Sequence, residues 1–295
     1  MKILILGGTG FFGKSILDSF IRGNLKEFNI DSINVLSRNP NTFLNNYPEF
    51  KKNEILYTKG DITTINNLPK ADIIIHAANS SSFIDFNLNS KEQKKSIEKA
   101  TLNYIKLAKK FHKNAKILYC SSGAVYGNQP SNVNKMDEDF PFQDILQFSE
   151  EKRNYTLGKR FAEAQIKKLG SFGLNVSIAR CFTFYGDYLP KDGHYAYGNF
   201  LNQAIQGKDI EVKTKHLVIR SYMHSDNLVE SLIKIANQAS PKCPVYNVGS
   251  DEEISIVDLA TNIANQYNVK VVKPLQIDSK IIDRYVPNID KLKLL

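Results

Sequence analysis

The sequence predicts an α/β fold in which a doubly wound parallel sheet is followed by a smaller C-terminal lobe. Three observations carry this. The chain begins with an aliphatic run, Ile3-Leu4-Ile5-Leu6, the pattern of a strand covered on both faces. The run passes directly into Gly7-Gly8-Thr9-Gly10-Phe11-Phe12-Gly13 and then into a helical pattern over residues 11–23. Short apolar runs then recur, at 32–37, 54–58, 71–76, 116–121 and 174–180, with helical patterns among them.

The first of these elements is informative about a ligand. A strand, a glycine turn and a helix in immediate succession form the context of a dinucleotide site in a Rossmann-type sheet. Gly7 permits the tight turn, Gly10 lets the backbone approach a pyrophosphate, and Gly13 lets the helix sit close to its strand. Thr9, Phe11 and Phe12 lie between these glycines and share the site, with the helix N-terminus facing the phosphates. The second strand, Ile33-Asn34-Val35-Leu36, ends at Ser37-Arg38, where an acidic residue would bind an adenosine 2′-hydroxyl. Arg38 suits a 2′-phosphate instead, so NADP(H) is favoured, with NAD(H) as the alternative if Arg38 is solvated.

Residues 39–52 read as a connector, and Glu54–Thr58 as a third strand leading to Gly60-Asp61-Ile62. Asp61 is placed either on the cofactor or as a cap of the turn that follows. The fourth strand runs through Ile73-Ile74-Ile75-His76 into the small residues Ala77 and Ala78. His76 reads as a packed or hydrogen-bonded histidine, because nothing near it in sequence completes a relay. Residues 91–112 form a lysine-rich helix with one apolar face, and Lys116–Ser121 a fifth strand.

A helix over 147–169 places Tyr155 and Lys159 four residues apart on one face. A nearby lysine ammonium and a bound nicotinamide's positive ring both favour phenolate, which depresses the Tyr155 pKa and lets it exchange protons near neutrality, and a hydroxyl such as Ser122 can hold a substrate oxygen next to it. These three are the candidate catalytic residues. Tyr155-x-x-x-Lys159 alone is also what an amphipathic helix with a snorkelling lysine produces, so the reading rests on the surrounding motifs.

Bulk properties agree with a soluble enzyme. The 295 residues are 42% hydrophobic and 23% charged, and no apolar run reaches the length of a membrane span. Neither a membrane partner nor a secretion signal is expected, and a cytoplasmic location is. Cys120, Cys181 and Cys243 are too scattered for a metal cluster and are expected to be reduced, so no metal is assigned. The formal charge of +9 is dispersed along the chain, which suits phosphate-bearing ligands and gives no concentrated nucleic-acid surface.

The glycine spacing, Ser121-Ser122-Gly123-Ala124-Val125-Tyr126-Gly127, the Tyr155/Lys159 pair and Arg180-Cys181-Phe182-Thr183-Phe184-Tyr185-Gly186 together resemble the extended short-chain dehydrogenase/reductase family. More narrowly, they resemble its nucleotide-sugar epimerase/dehydratase/reductase branch. The resemblance covers nearly the whole chain. It implies a dinucleotide-binding domain over 1–180 and a substrate lobe over 181–295, with a segment around 210–250 returning to the sheet. It implies that Ser122 touches the reacting oxygen, that Asp61 and Ile62 meet the adenine, and that Ala77 and Ala78 lie beside the cofactor. In the segment containing Pro190-Lys191-Asp192-Gly193-His194, it places Asn199 and Phe200 on the substrate's diphosphate and base. Arg220 is expected to grip that diphosphate, with a surface ion pair as the competing role, and Arg284 is a second candidate. A homodimer built on the two long helices is also implied.

Two positions narrow the chemistry. Sugar-nucleotide 4,6-dehydratases place an Asp-Glu pair directly after the catalytic hydroxyl, and fucose-synthase-like epimerase/reductases place a cysteine at the second of these positions. Here they are Gly123 and Ala124. Hydride and proton transfer at one carbon remains, so the expected activity is NADPH-dependent reduction of a nucleotide-linked 4-keto-deoxyhexose. The alternatives are a nucleotide-sugar 4-epimerase using the same residues, and a non-catalytic redox-sensing or RNA-binding relative. Thr214-Lys215-His216 stands where relatives carry a glycine-rich turn, so that loop is expected to differ.

Overall fold

The computed structural model describes every residue except 79–89, 192 and 194. Strands β1 (Lys2–Leu6), β2 (Ser32–Ser37), β3 (Ile55–Lys59), β4 (Ile73–His76), β5 (Lys116–Ser122) and β6 (Asn175–Cys181) belong to one parallel sheet. Between them run α1 (Phe11–Ile21), α2 (Pro40–Asn46), α3 (Ser90–Phe111) and α4 (Glu150–Ser171). Beyond β6 the chain forms β7 (Phe184–Tyr185), α5 (Ala196–Ile205), β8 (Ile210–Glu211), β9 (His216–Arg220), β10 (Met223–His224) and α6 (Ser225–Asn237). It closes with β11 (Val245–Val248), β12 (Ile254–Ser255), α7 (Ile256–Tyr267), β13 (Val271–Val272), β14 (Asp278–Tyr285) and α8 (Asp290–Lys293).

Strand β11 returns to pair with β6, giving a seven-stranded order β11-β6-β5-β4-β1-β2-β3. This is the doubly wound α/β architecture expected from the sequence. The reversal of strand order lies at β1 and β4, and a crevice opens at such a point beyond the strands' carboxyl ends. Residue alternation explains why both faces are covered. Ile3 and Ile5 enter one core with Ile16, Leu17, Leu228 and Leu232, while Leu4 and Leu6 enter another with Ile97, Tyr104, Ile166 and Leu169. At about 1.5–3 kcal/mol for each large apolar side chain fully buried, these two layers supply most of what opposes the chain's lost entropy.

Most boundaries fall within two residues of expectation. Helix α4 starts later, at Glu150, because the Ser149 hydroxyl caps it by accepting from the Lys152 N–H at 3.3 Å. The expected connector over 39–52 contains α2 and a 3-10 turn at Pro48–Phe50. A proline opens each, and Phe43 stacks on Phe50 at 5.7 Å, so aromatic packing orders a stretch whose composition reads as loop.

In the C-terminal lobe, α5 and α7 pack around Phe200, Ile210, Ile256, Leu259 and Ile263. Strand β9 is flanked by β12 and β14, which brings the last strand of the chain alongside Arg220.

Candidate functional site

The site is assembled where β1, β4, β5 and α4 meet. Gly7 sits at φ +85°, and a Cβ there would lie 2.6 Å from the Cα of Ala78. Only glycine permits that turn together with the close approach of the Ala77–Ala78 backbone, whose Ala77 N–H donates to the Leu6 carbonyl at 2.9 Å. Among the described residues, a Cβ on Gly10 would meet only the Gly7 carbonyl, at 3.6 Å. Gly10 is also the N-cap of α1, and no described side chain caps that helix or places a carboxylate in its first turn. Thr9, Phe11, Phe12 and Gly13 share this turn. An open glycine face beside uncapped helix N–H groups fits a dinucleotide pyrophosphate.

At the end of β2, Ser37 is buried and Arg38 is exposed. The Ser37 hydroxyl accepts from the Asn39 N–H at 3.3 Å. The Asp61 carboxylate accepts from both the N–H and the hydroxyl of Thr63, each at 2.7 Å, so its side chain caps the following turn as the competing reading held. Ile62 is buried, and its carbonyl accepts from Asn103 at 2.8 Å.

The catalytic candidates converge. Ser122 ends β5, and its hydroxyl accepts from the Ala124 N–H at 3.2 Å, capping a 3-10 turn over Gly123–Tyr126. Tyr155 on α4 comes under the influence of that hydroxyl, which favours its ionised form. Lys159, 1% exposed, donates to the Cys120 carbonyl at 2.9 Å, two residues before Ser122, and its Nζ lies 5.7 Å from the Tyr155 ring centroid. Burial lowers the Lys159 pKa from 10.5 to about 8, with Cys120, Cys181 and Glu163 acting in the opposite direction.

The sequence argument expected Lys159, together with a bound nicotinamide's positive ring, to depress the Tyr155 pKa; the lysine's share is the part that the chain itself shows. In the structure burial dominates and pushes Tyr155 above its ordinary value of 10.0, with only Ser122 pulling the other way. The physical reason is that the ammonium is turned toward a backbone carbonyl and lies under the ring. A phenol held protonated is a proton donor.

The surrounding motif residues lock this geometry. Glu163, one turn beyond Lys159 on α4, pairs with Arg180 at 2.9 Å, both nearly fully buried, and accepts from Ser121 at 2.6 Å. Burial opposes the Arg180 charge, but the hydrogen bond and charge of Glu163 outweigh it and raise the Arg180 pKa. Arg180 also donates to the Glu138 carbonyl at 2.8 Å, which pins the acidic loop, and Tyr126 donates to Asn247 on β11 at 2.7 Å. His76 is packed against Tyr104 and Tyr119, with neither ring nitrogen hydrogen-bonded among the described residues. Burial, helped by the Lys159 charge, holds its pKa at about 3, so it is neutral.

The substrate candidates are more dispersed. Asn199 and Phe200 line a cleft of about 500 Å³ with Gln203, Glu211 and Lys213, and the Asn199 amide donates to the Gly193 carbonyl at 2.7 Å. Asp192 and His194 of the same segment lie outside the described residues. Arg220 has its fork taken by Asp283, at 2.8 Å to the carboxylate and 2.8 Å to the carbonyl, and Arg284 pairs with Glu253. Arg220 is therefore in the ion pair that was its competing role, Arg284 is in an ion pair as well, and a diphosphate would have to displace a carboxylate from either.

Two residues at the site escaped sequence reasoning. Glu163 was legible, since 155, 159 and 163 fall on one helical face. Tyr285 was not: its hydroxyl lies against Gly123 from the end of β14, and although Arg284-Tyr285-Val286-Pro287 matches a family segment, no local spacing places it at this site.

The chain is similar to known proteins over most of its length. The chain is 27% identical to UDP-glucuronic acid decarboxylase 3 of Arabidopsis thaliana, over 99% of this chain and 82% of that protein. It is 30% identical to dTDP-D-glucose 4,6-dehydratase of Dictyostelium discoideum, over 90% of this chain and 62% of that one. Among solved structures, DesIV, a dTDP-glucose 4,6-dehydratase from Streptomyces venezuelae with NAD and TYD bound, superposes with TM-score 0.80 at 20% identity, covering 100% of this chain and 90% of its own. UDP-glucose 4-epimerase of Thermotoga maritima superposes with TM-score 0.79 at 18% identity, covering 100% and 92%. The model of the NAD dependent epimerase/dehydratase family matches residues 3–249, and the chain belongs to that family.

Proposed function

We propose that this protein is an NADP(H)-dependent reductase of a nucleotide-linked 4-keto-deoxyhexose. The observation that carries the reading is the convergence of Ser122, Tyr155 and Lys159 beside the glycine turn, with no acid or base at Gly123 and Ala124. Lys159 holds the cofactor ribose. A bound nicotinamide supplies a hydride to the carbonyl carbon. Ser122 positions the carbonyl oxygen, and Tyr155 donates its phenolic proton to the oxyanion as it forms. Arg38, exposed where β2 ends without a carboxylate, favours a 2′-phosphate and hence NADP(H) over NAD(H).

Asn199 and Phe200, in the large cleft, are assigned to the substrate's nucleotide. Arg220 and Arg284 serve its diphosphate by exchanging Asp283 and Glu253 for phosphate oxygens. The exposed apolar residues Leu102 on α3 and Leu157 on α4 support a homodimer through these helices.

The second reading is a nucleotide-sugar 4-epimerase. Its support is the likeness to solved 4-epimerases together with the same three residues and the same small pair after Ser122. The discriminating experiment offers nucleotide 4-ketosugars with NADPH and NADH to the purified protein and identifies the product by NMR. Stoichiometric NADPH oxidation supports the reductase. Tightly held NAD with no net consumption during turnover would establish the epimerase instead. Tyr155→Phe is expected to lower turnover on the order of 10²- to 10⁴-fold while cofactor binding is retained.

A further inference from the structure

Two phenols from distant parts of the chain stand near Ser122. Tyr155 arrives on α4, and Tyr285 arrives as the last residue of β14, paired in register with Arg220 of β9. A Cβ built on Gly123 would lie 2.5 Å from the Tyr285 hydroxyl oxygen and 2.9 Å from the Phe182 ring. The Tyr285 hydroxyl therefore fills the volume beside the Ser122–Gly123 backbone that a side chain at 123 would need. Phe182 packs against the Tyr285 ring, with centroids 4.6 Å apart. Burial raises the pKa of both phenols, with the Ser122 hydroxyl acting the other way on each, so both keep their protons next to Ser122.

A serine hydroxyl carries one proton and two lone pairs. The Ala124 N–H occupies one lone pair. A Tyr285 O–H directed at the second leaves Ser122 with nothing to offer except its own proton. With Tyr285 absent, the donor left beside that lone pair is Tyr155, and a Tyr155 proton bonded to Ser122 is turned away from the substrate.

We propose that Tyr285 is a positioning residue: its phenol donates to Ser122, so that the Ser122 proton points at the substrate's carbonyl oxygen and the Tyr155 proton stays available for transfer. Tyr285 keeps its own O–H bond throughout turnover. The inference rests on the reading of Ser122, Tyr155 and Lys159 as the reacting centre.

The test has a part that needs no substrate. In protein labelled with ¹³Cζ-tyrosine, with resonances assigned through Tyr155→Phe and Tyr285→Phe, Ser122→Ala is expected to shift both the Tyr155 and the Tyr285 signals. An unmoved Tyr285 signal overturns the proposal. In turnover with a dTDP-linked 4-keto-6-deoxyhexose and NADPH, Tyr285→Phe is expected to lower kcat about tenfold, the worth of one hydrogen bond, with KM and Tm unchanged because the ring still packs on Phe182. A kcat at the wild-type level, a loss confined to KM, or a loss matched by a fall in Tm overturns it. Tyr155→Phe separates the two levels of argument. If that variant is inactive while Tyr285→Phe is at the wild-type rate, only the positioning role falls; if Tyr155→Phe itself turns over normally, the reading of the centre falls.

Discussion

Lys159 sets function against stability at a single side chain. Its ammonium is buried, and the fall in pKa from 10.5 to about 8 corresponds to about 3 kcal/mol of unfavourable burial. The direction fixes the pH dependence. A lysine whose folded pKa is depressed carries its full penalty below about 8 and loses it as pH rises toward its unfolded value near 10.5. Lys159→Met is therefore expected to abolish turnover while stabilising the fold by about 1 kcal/mol near pH 7, after allowing for the lost hydrogen bond to Cys120. Thermal unfolding of the two proteins side by side should show this advantage shrinking from pH 8 to pH 10. At this scale the sequence revealed Tyr155 and Lys159 because helical spacing places them together without further knowledge of the fold. It could not reveal which way the Lys159 ammonium points or that burial governs the Tyr155 phenol, since both depend on the backbone of β5 and on surroundings distant in sequence.

Helix α4 does more than carry the tyrosine. Its inner face presents Tyr155, Lys159 and Glu163 in successive turns, and Glu163 ties α4 to β5 through Ser121 and to β6 through Arg180. The pair is nearly fully buried, so removing one partner leaves an uncompensated charge. Glu163→Gln is expected to destabilise the protein by about 3–5 kcal/mol, read as a lower urea midpoint at an unchanged slope. Because Ser121 adjoins Ser122, the same variant should loosen the Ser122 hydroxyl. Elements whose apolar period was long and regular, such as β1, α3 and α4, were legible from sequence. The stretch over 39–52 was not, because its order comes from Phe43 and Phe50 stacking on each other and not from any local periodicity.

For the whole molecule, the sheet followed from the pattern of aliphatic runs, while the placement of β14 beside β9 did not. That parallel pairing joins segments with no common local signal, and it brings Tyr285, the last residue of β14, to Gly123. The exposed Leu102 and Leu157 lead to an expectation at this scale: light scattering should return about twice the 33.4 kDa chain mass, and Leu157→Glu should return the monomer. The Gly123–Tyr285 juxtaposition also constrains how the chain could change its chemistry. A carboxylate introduced at 123, as a water-eliminating enzyme would require, meets the Tyr285 hydroxyl and the Phe182 ring, so both side chains have to give way. Conversion to a dehydratase therefore draws in residues from just beyond β6 and from β14 as well as the motif that names the reaction.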